Sequence, residues 1–255
     1  PSDPELRRLM VGRLQHLEKM DLAFEGEPGQ WTVGLGAERT LRDLAIRGDI
    51  IKTMHRAFAG RDQDRGFSDF VIDGGASEAP IIGRLVDRGL YDELSGEAYA
   101  VIDGVDGRAH HVRFRDVDAF ERAPPNGGLV EVRRFGGPED ERPMLVLATR
   151  SDLDLQTQVT APGATWLDHR LVEREAMPLS QAGFGQEVRD AIHARADHLA
   201  DQGLAHRDGQ RIVIQRDLLT TLRRRELDAV GEKLAAETGL PHVKAQAGEH
   251  VAGTV

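Results

Sequence analysis

Apolar residues at Leu6, Met10, Leu14 and Leu17 recur at spacings of four, four and three, which places them on one face of a helix. The pattern ends at Asp21, and Leu22-Ala23 leads into a short stretch with Glu27-Pro28-Gly29 at its tip and Trp31 and Val33 alternating beyond it. The same pattern returns 182 residues later: Val188, Ile192, Ala196, Leu199 and Leu204 match Leu6, Met10, Leu14, Leu17 and Leu22 at one constant offset. Arg13/Arg195, His16/His198, Leu17/Leu199 and Ala23/Ala205 are identical pairs at that offset. The second copy turns at Gly203, tips its hairpin with Arg207-Asp208-Gly209 and alternates Ile212 and Ile214. A helix followed at once by a hairpin predicts a winged-helix-like unit in each copy.

Between the copies the pattern changes. Thr40 to Leu44 continues as helix, Gly48-Asp49 predicts a break, and Ile51, Met54 and Phe58 share the face of a further helix. Residues 61–79, polar and glycine-rich, read as a linker. From Pro80 the period falls to two. Residues 81–86, 98–102, 109–114, 129–133 and 144–148 read as five short strands, with Gly83 at a bulge or corner and Asp103-Gly-Val-Asp-Gly-Arg108 as a hairpin loop. Five strands in so short a span predict a small closed β-barrel of the OB or SH3-like kind. Helix then resumes, with Thr165 near an N-terminus after Pro162-Gly163 and a long helix from Leu218 to Glu237 closed by Gly239.

The last seven residues, Glu249 to Val255, resemble Pro80 to Val86, glycine included. The expected class is therefore α+β: winged-helix-like helix-hairpin units flanking a small five-stranded β-barrel. Residues 1–60 form the first unit, 61–79 the linker, 80–150 the barrel, 151–241 the second unit, and 242–255 the start of a truncated second barrel. An opening on Pro1 and a barrel that stops at its first strand predict a piece of a longer protein.

Composition narrows the function. The chain has 255 residues, a formal net charge of -10 and no cysteine, so disulfides, thiolate metal sites and cysteine nucleophiles are excluded. A net negative charge disfavours non-specific adhesion of the whole chain to polyanions. No apolar run approaches the roughly 20 residues that cross a bilayer, so no membrane partner is expected.

Asp103, Asp106, His110 and His111 form the most suggestive cluster for metal or hydrolytic chemistry. Neighbouring strand residues point to opposite faces, however, so His110 and His111 are ill placed to share one ion, and no further ligand stands at zinc spacing. Turn-forming aspartates and a half-exposed histidine pair account for the same residues. His169 has no nucleophile elbow, His193 and His198 lie on different helix faces, and Gly34-Leu-Gly36 and Gly183-Phe-Gly185 lack the Lys-Ser/Thr ending of a phosphate loop. Tyr91 and Tyr99, the only tyrosines, have no histidine cluster beside them in sequence. No catalytic residue, metal or cofactor is therefore assigned.

Nucleic-acid contact has more support. Residues 187–225 carry eight arginines against six acids, whereas residues 1–33 carry four basic residues against six acids. Arg195, Arg207, Arg211, Arg223, Arg224 and Arg225 are the candidates for phosphate contact, with Arg207 and Arg211 on the hairpin and Arg223–Arg225 on the helix beyond it. A solvated helix face laced with ion pairs is the competing explanation.

Long strings in the chain resemble one family: GDIIKTMHRAF (48–58), DGVDGRAHHV (103–112), APGATWLDHRLVERE (161–175), GFGQEVRDAI (183–192) and LRRRELDAVGEKLAAETGLP (222–241). They are similar to the C-terminal region of VirD-type plasmid mobilisation relaxases, the DNA nickases linked to type IV secretion. The resemblance covers nearly the whole chain. It implies a conjugative protein that nicks at an origin of transfer, stays joined to the 5′ end and leaves the bacterial cytoplasm with the strand. In such relaxases the nicking tyrosine and the His-rich metal site lie in an N-terminal nuclease domain, and no residue here matches that motif. The expectation is a non-catalytic accessory region that positions DNA or docks to type IV coupling or secretion proteins, with the nuclease domain as a further partner. The alternative is a protein-interaction module without DNA contact, in which the barrel and the acidic first copy meet a partner.

Overall fold

A computed structural model describes residues 3–60, 65–73, 79–137, 143–175, 177–208, 211–241 and 243–244, with the backbone alone for Phe67, Asp73, Arg207 and Arg211. The chain divides into two compact units, 1–59 and 60–255.

In the first unit α1 (Pro4–Glu18) leads to the hairpin β1 (Ala23–Glu25) and β2 (Trp31–Val33), followed by α2 (Ala37–Phe58). Asp3 caps α1 by accepting from the backbone N–H groups of Glu5 at 2.9 Å and Leu6 at 3.4 Å, and Pro4 fixes the first helical φ. The break expected at Gly48-Asp49 does not occur, and α2 is continuous. Ile50, Met54 and Phe58, at successive four-residue steps, are buried along one face. Burial of three large side chains exceeds the roughly 1 kcal/mol that a mid-helix glycine costs.

The second unit centres on a six-stranded sheet of β3 (Phe70–Asp73), β4 (Ile81–Leu90), β5 (Ala98–Gly104), β6 (Ala109–Phe114), β7 (Leu129–Phe135) and β8 (Met144–Ser151), in the order β3-β6-β5-β4-β7-β8. Every neighbouring pair is antiparallel except β3 with β6. The closed five-stranded barrel expected from the sequence is not formed. β8 comes within 8 Å of β6, Cα to Cα, but the outer edge of β6 is taken by β3 through Phe70 to Asp73 against Ala109 to Val112. The sheet therefore stays open, with β3 and β8 at its edges. β3 lies inside the stretch expected to be linker, where Phe70-Val71-Ile72 is a short apolar run amid polar residues.

One face of this sheet buries Ile81, Leu85, Ala100, Ile102, Val112, Phe114, Val130 and Val132, closed over by Phe120 from the 3₁₀ turn Val117–Phe120. The other face receives three helices: α3 (Leu155–Thr160), α4 (Trp166–Val172) and α5 (Gly183–Asp201), through Leu155, Trp166, Leu167, Phe184 and Val188 against Val105 and Leu129. After α5 come the hairpin β9 (Ala205–Asp208) and β10 (Arg211–Ile214) and then α6 (Leu218–Thr238). Leu199, Leu204, Ala205, Leu218 and Leu222 form the core of that helix-hairpin-helix.

The internal repeat is visible in backbone hydrogen bonds. Leu22 donates to Leu17 O and Leu204 to Leu199 O, both at 2.9 Å. Asp21 (φ 56°) and Gly203 (φ 71°) occupy the same left-handed position. Each copy is a helix-hairpin-helix, with a second long helix following the hairpin, rather than a winged helix. The resemblance of residues 249–255 to the first barrel strand lies outside the described residues.

β4 bulges at Val86, three residues beyond Gly83, where the sequence placed the irregularity. Gly83 instead marks close approach: a Cβ there would sit 2.2 Å from the backbone oxygen of Asp103. Gly83→Ala is expected to lower stability by about 1–3 kcal/mol through overpacking. Gly12→Ala, in the exposed middle of α1 with open space around it, is expected to raise stability by about 0.5–1 kcal/mol. Urea unfolding of the two variants checks both, and a neutral Gly83→Ala would rule out the contact.

Candidate functional site

The face of β4, β5 and β6 that meets the helices carries a chain of charge. Asp103 on β5 is fully buried and faces Arg84, its cross-strand neighbour on β4. Arg84 donates through Nη2 to Asp103 Oδ2 at 2.7 Å, and through Nη1 to Glu187 Oε2 on α5 at 2.8 Å. Arg65 pairs with the other oxygen of Asp103 and donates to Gly107 O at 3.3 Å. The Arg84 guanidinium also lies 4.5 Å over the Phe184 ring. Burial weakens its hold on the proton, but the bonds to Glu187 and Asp103 outweigh that and keep it charged. Beside this pair opens a cleft of about 520 Å³ lined by Arg84, Asp154, Leu155, Val159, Glu187 and Asp190. Its only cation is already committed to Asp103 and Glu187, so it offers an anion little. Among the described residues no three His, Asp or Glu side chains are placed to hold a metal.

Of the four residues singled out for hydrolytic chemistry, the fold brings Asp106 and His110 together and sets Asp103 and His111 apart from them. Asp106 in the β5–β6 turn accepts from the backbone N–H of Arg108 at 3.1 Å and contacts His110 Nε2 at 3.0 Å. Burial opposes ionisation of Asp106, yet the His110 contact holds its carboxyl below the usual range. His111 points to the opposite face, among the tyrosines. Its ring stacks on Tyr99 at 5.1 Å between centroids and 12° between planes, and meets Tyr91 edge-on at 6.1 Å. Tyr99 donates its hydroxyl to Asp87 Oδ2 at 3.0 Å, and Arg113 lies 3.8 Å over the Tyr91 ring. Burial drives the His111 pKa down to about 4, so at neutral pH it is an uncharged packing group.

This cluster was not visible in the sequence, where neither tyrosine has a histidine beside it. The signal that finds it is register: Val101 pairs with His111 and Tyr99 with Arg113, which puts Tyr99 and His111 on one face as diagonal neighbours.

Of the arginines expected at phosphate, Arg195 must be withdrawn. It is completely buried in α5, and all five of its donors are used. Nε and Nη2 grip Asp168 at 2.8 and 2.9 Å, Nη1 donates to Val159 O at 3.2 Å and Ala161 O at 2.6 Å, and Nη2 also reaches Gly163 O at 3.0 Å. Asp168 in turn accepts from the Thr165 backbone N–H at 2.7 Å and hydroxyl at 2.9 Å, closing a capping box at the start of α4.

Arg223, Arg224 and Arg225 are exposed in the second turn of α6, with Arg225 donating to Gln202 Oε1 at 2.8 Å. Arg207 and Arg211 sit on β9 and β10, opposite Ile212 and Asp208, and their side chains lie outside the described residues. The fold thus gathers five of the six candidates on the hairpin and the helix after it.

The chain belongs to the family described as "Protein of unknown function (DUF3363)", which matches residues 10–142 and 138–255. No curated protein and no solved structure matches. Among the described residues no helix is long and apolar enough to cross a membrane.

Removing either member of the Arg195–Asp168 pair leaves a buried charge uncompensated, so Arg195→Ala and Asp168→Ala are each expected to cost about 3–5 kcal/mol in urea unfolding. Arg195→Lys should not restore the loss, because an ammonium cannot serve five acceptors in these directions. For His111 the folded pKa near 4 lies below the ordinary 6.5, so between those values the unfolded chain binds more protons. Its contribution is complete above about pH 6.5 and is lost as pH falls toward 4. His111→Phe should narrow the gap between urea midpoints at pH 7 and pH 5, and an unchanged gap would count against a neutral buried imidazole.

Proposed function

We propose that this chain is a non-catalytic accessory region of a conjugative relaxase, and that it positions DNA with the helix-hairpin-helix of residues 183–238. The sequence strings similar to VirD-type relaxases support the parentage. One observation favours DNA contact: three consecutive exposed arginines, Arg223 to Arg225, stand on the helix after a hairpin bearing Arg207 and Arg211. Adjacent like charges repel one another in the free protein, and a polyanion relieves that repulsion. The overall charge of -10 disfavours adhesion of the whole chain to a polyanion, so any attraction must be local. Its place would be in the bacterial cytoplasm beside the nuclease domain, with export on the transferred strand. A second reading, docking to coupling or secretion proteins without DNA, is favoured by Leu6, Leu9 and Met10, large apolar side chains exposed along α1.

Fluorescence anisotropy with single-stranded and duplex origin DNA separates the two readings. The DNA reading expects binding that weakens as salt rises, and the double variant Arg223→Ala/Arg224→Ala should flatten the log–log salt slope by about 1 per arginine. Absence of salt-sensitive binding at low ionic strength, or an unchanged slope in the variant, overturns it and leaves the docking reading.

A further inference from the structure

The outer side of α6 carries a second feature, apolar at its centre and sharing Arg223 with the DNA reading. Leu218 and Leu222 anchor the start of this helix in the core. On the opposite side Leu227, Val230 and Leu234 are exposed at 70%, 52% and 53%. At roughly 100° per residue these three fall with Gly231 into one stripe about 10 Å long. Past Gly239 the chain turns back along one flank of the helix: Lys244 reaches Glu232 at 3.0 Å and Asp228 at 4.0 Å. Among the described residues that return leaves the stripe uncovered.

The stripe is self-complementary. When two copies of α6 are laid antiparallel with a two-fold axis near Val230-Gly231, Leu227 of one faces Leu234 of the other. Arg223 of one then lies on the same side, and within about one residue rise, of Glu237 of the other. The two-fold repeats that pair at the far end. Gly231 has no side chain to hold the backbones apart at the crossing. A parallel arrangement would instead set the three arginines 223–225 against their own copies.

We infer that this face of α6 is a self-association surface, on which a second copy of the chain docks antiparallel through Leu227, Val230 and Leu234, with Arg223–Glu237 pairs at both ends. The occupant is another copy because the stripe supplies both halves of the contact, apolar and charged. A surface this short belongs to the weak class of specific interfaces, so the dimer dissociation constant should be on the order of 10–100 µM.

Sedimentation equilibrium of the full chain across that range is expected to show a monomer–dimer equilibrium. Leu227→Glu should abolish it while leaving the circular dichroism spectrum unchanged, since the side chain touches no core. Arg223→Glu should weaken association several-fold, and adding Glu237→Arg should restore it. The chain contains no cysteine, so orientation is read directly from single-cysteine variants under mild oxidation. Leu227→Cys mixed with Leu234→Cys should give the mixed disulfide dimer in preference to either variant alone. A monomer at every concentration up to about 200 µM overturns the inference. So does a dimer indifferent to Leu227→Glu, or one in which each cysteine variant couples only to itself.

Discussion

The grip of Arg195 on Asp168 is the contact on which the helical half of the second unit depends. The guanidinium draws in the last turn of α3, the turn that follows it and the first turn of α4, using five bonds from a single side chain. Desolvating such a pair costs several kcal/mol per ion, and the cost is met only because every donor has an acceptor. Its worth lies in specification: no other side chain satisfies three carbonyls and a carboxylate from that point on α5. With α4 fixed in this way, Trp166 and Leu167 are held against the same core that α5 enters through Phe184 and Val188.

Helix α5 is thereby engaged on two sides. Arg195 faces α3 and α4, while Glu187, two turns earlier, completes the Arg84–Asp103 chain on the sheet. The buried acids Asp103, Asp168 and Glu131 all have arginine partners, Arg133 and Arg150 serving the last. Among the described residues the buried acids are all held in structural ion pairs, and Arg223 to Arg225, exposed on α6, take no part in them.

Much of this architecture could be read from residue patterns, and the exceptions have physical causes. The helix-hairpin repeat was legible because Leu17 and Leu199, and Asp21 and Gly203, recur at fixed places and their backbones do the same things. Arg195 was misread as surface although its position carried a warning, three residues after Ile192 and four before Leu199, on the apolar face itself. Its counterpart Arg13 is exposed. Identical residues in the two copies diverge because a partner carboxylate arrives from α4 only in the second. Period-two runs identified strands β4 to β8 but could not decide closure, which turned on β3, a run too short to stand out. The stacking of His111 on Tyr99 needed the hairpin register, a property of two strands together and not of either.

The pairing of β3 with β6 also bears on the order in which the sheet assembles. β4, β5 and β6 are joined by short turns and can zip up locally, as can β7 with β8. β3 must instead return across some 39 residues of chain to meet β6 in parallel, a closure whose entropy is lost before any bond is gained. β3 is also an edge strand of four residues paired on one side alone, so it peels away more readily than the strands paired on both sides. Each time it leaves, the outer edge of β6 is bared as a template for a foreign strand, so the lifetime of β3 on the sheet sets how readily this chain misassembles with its neighbours.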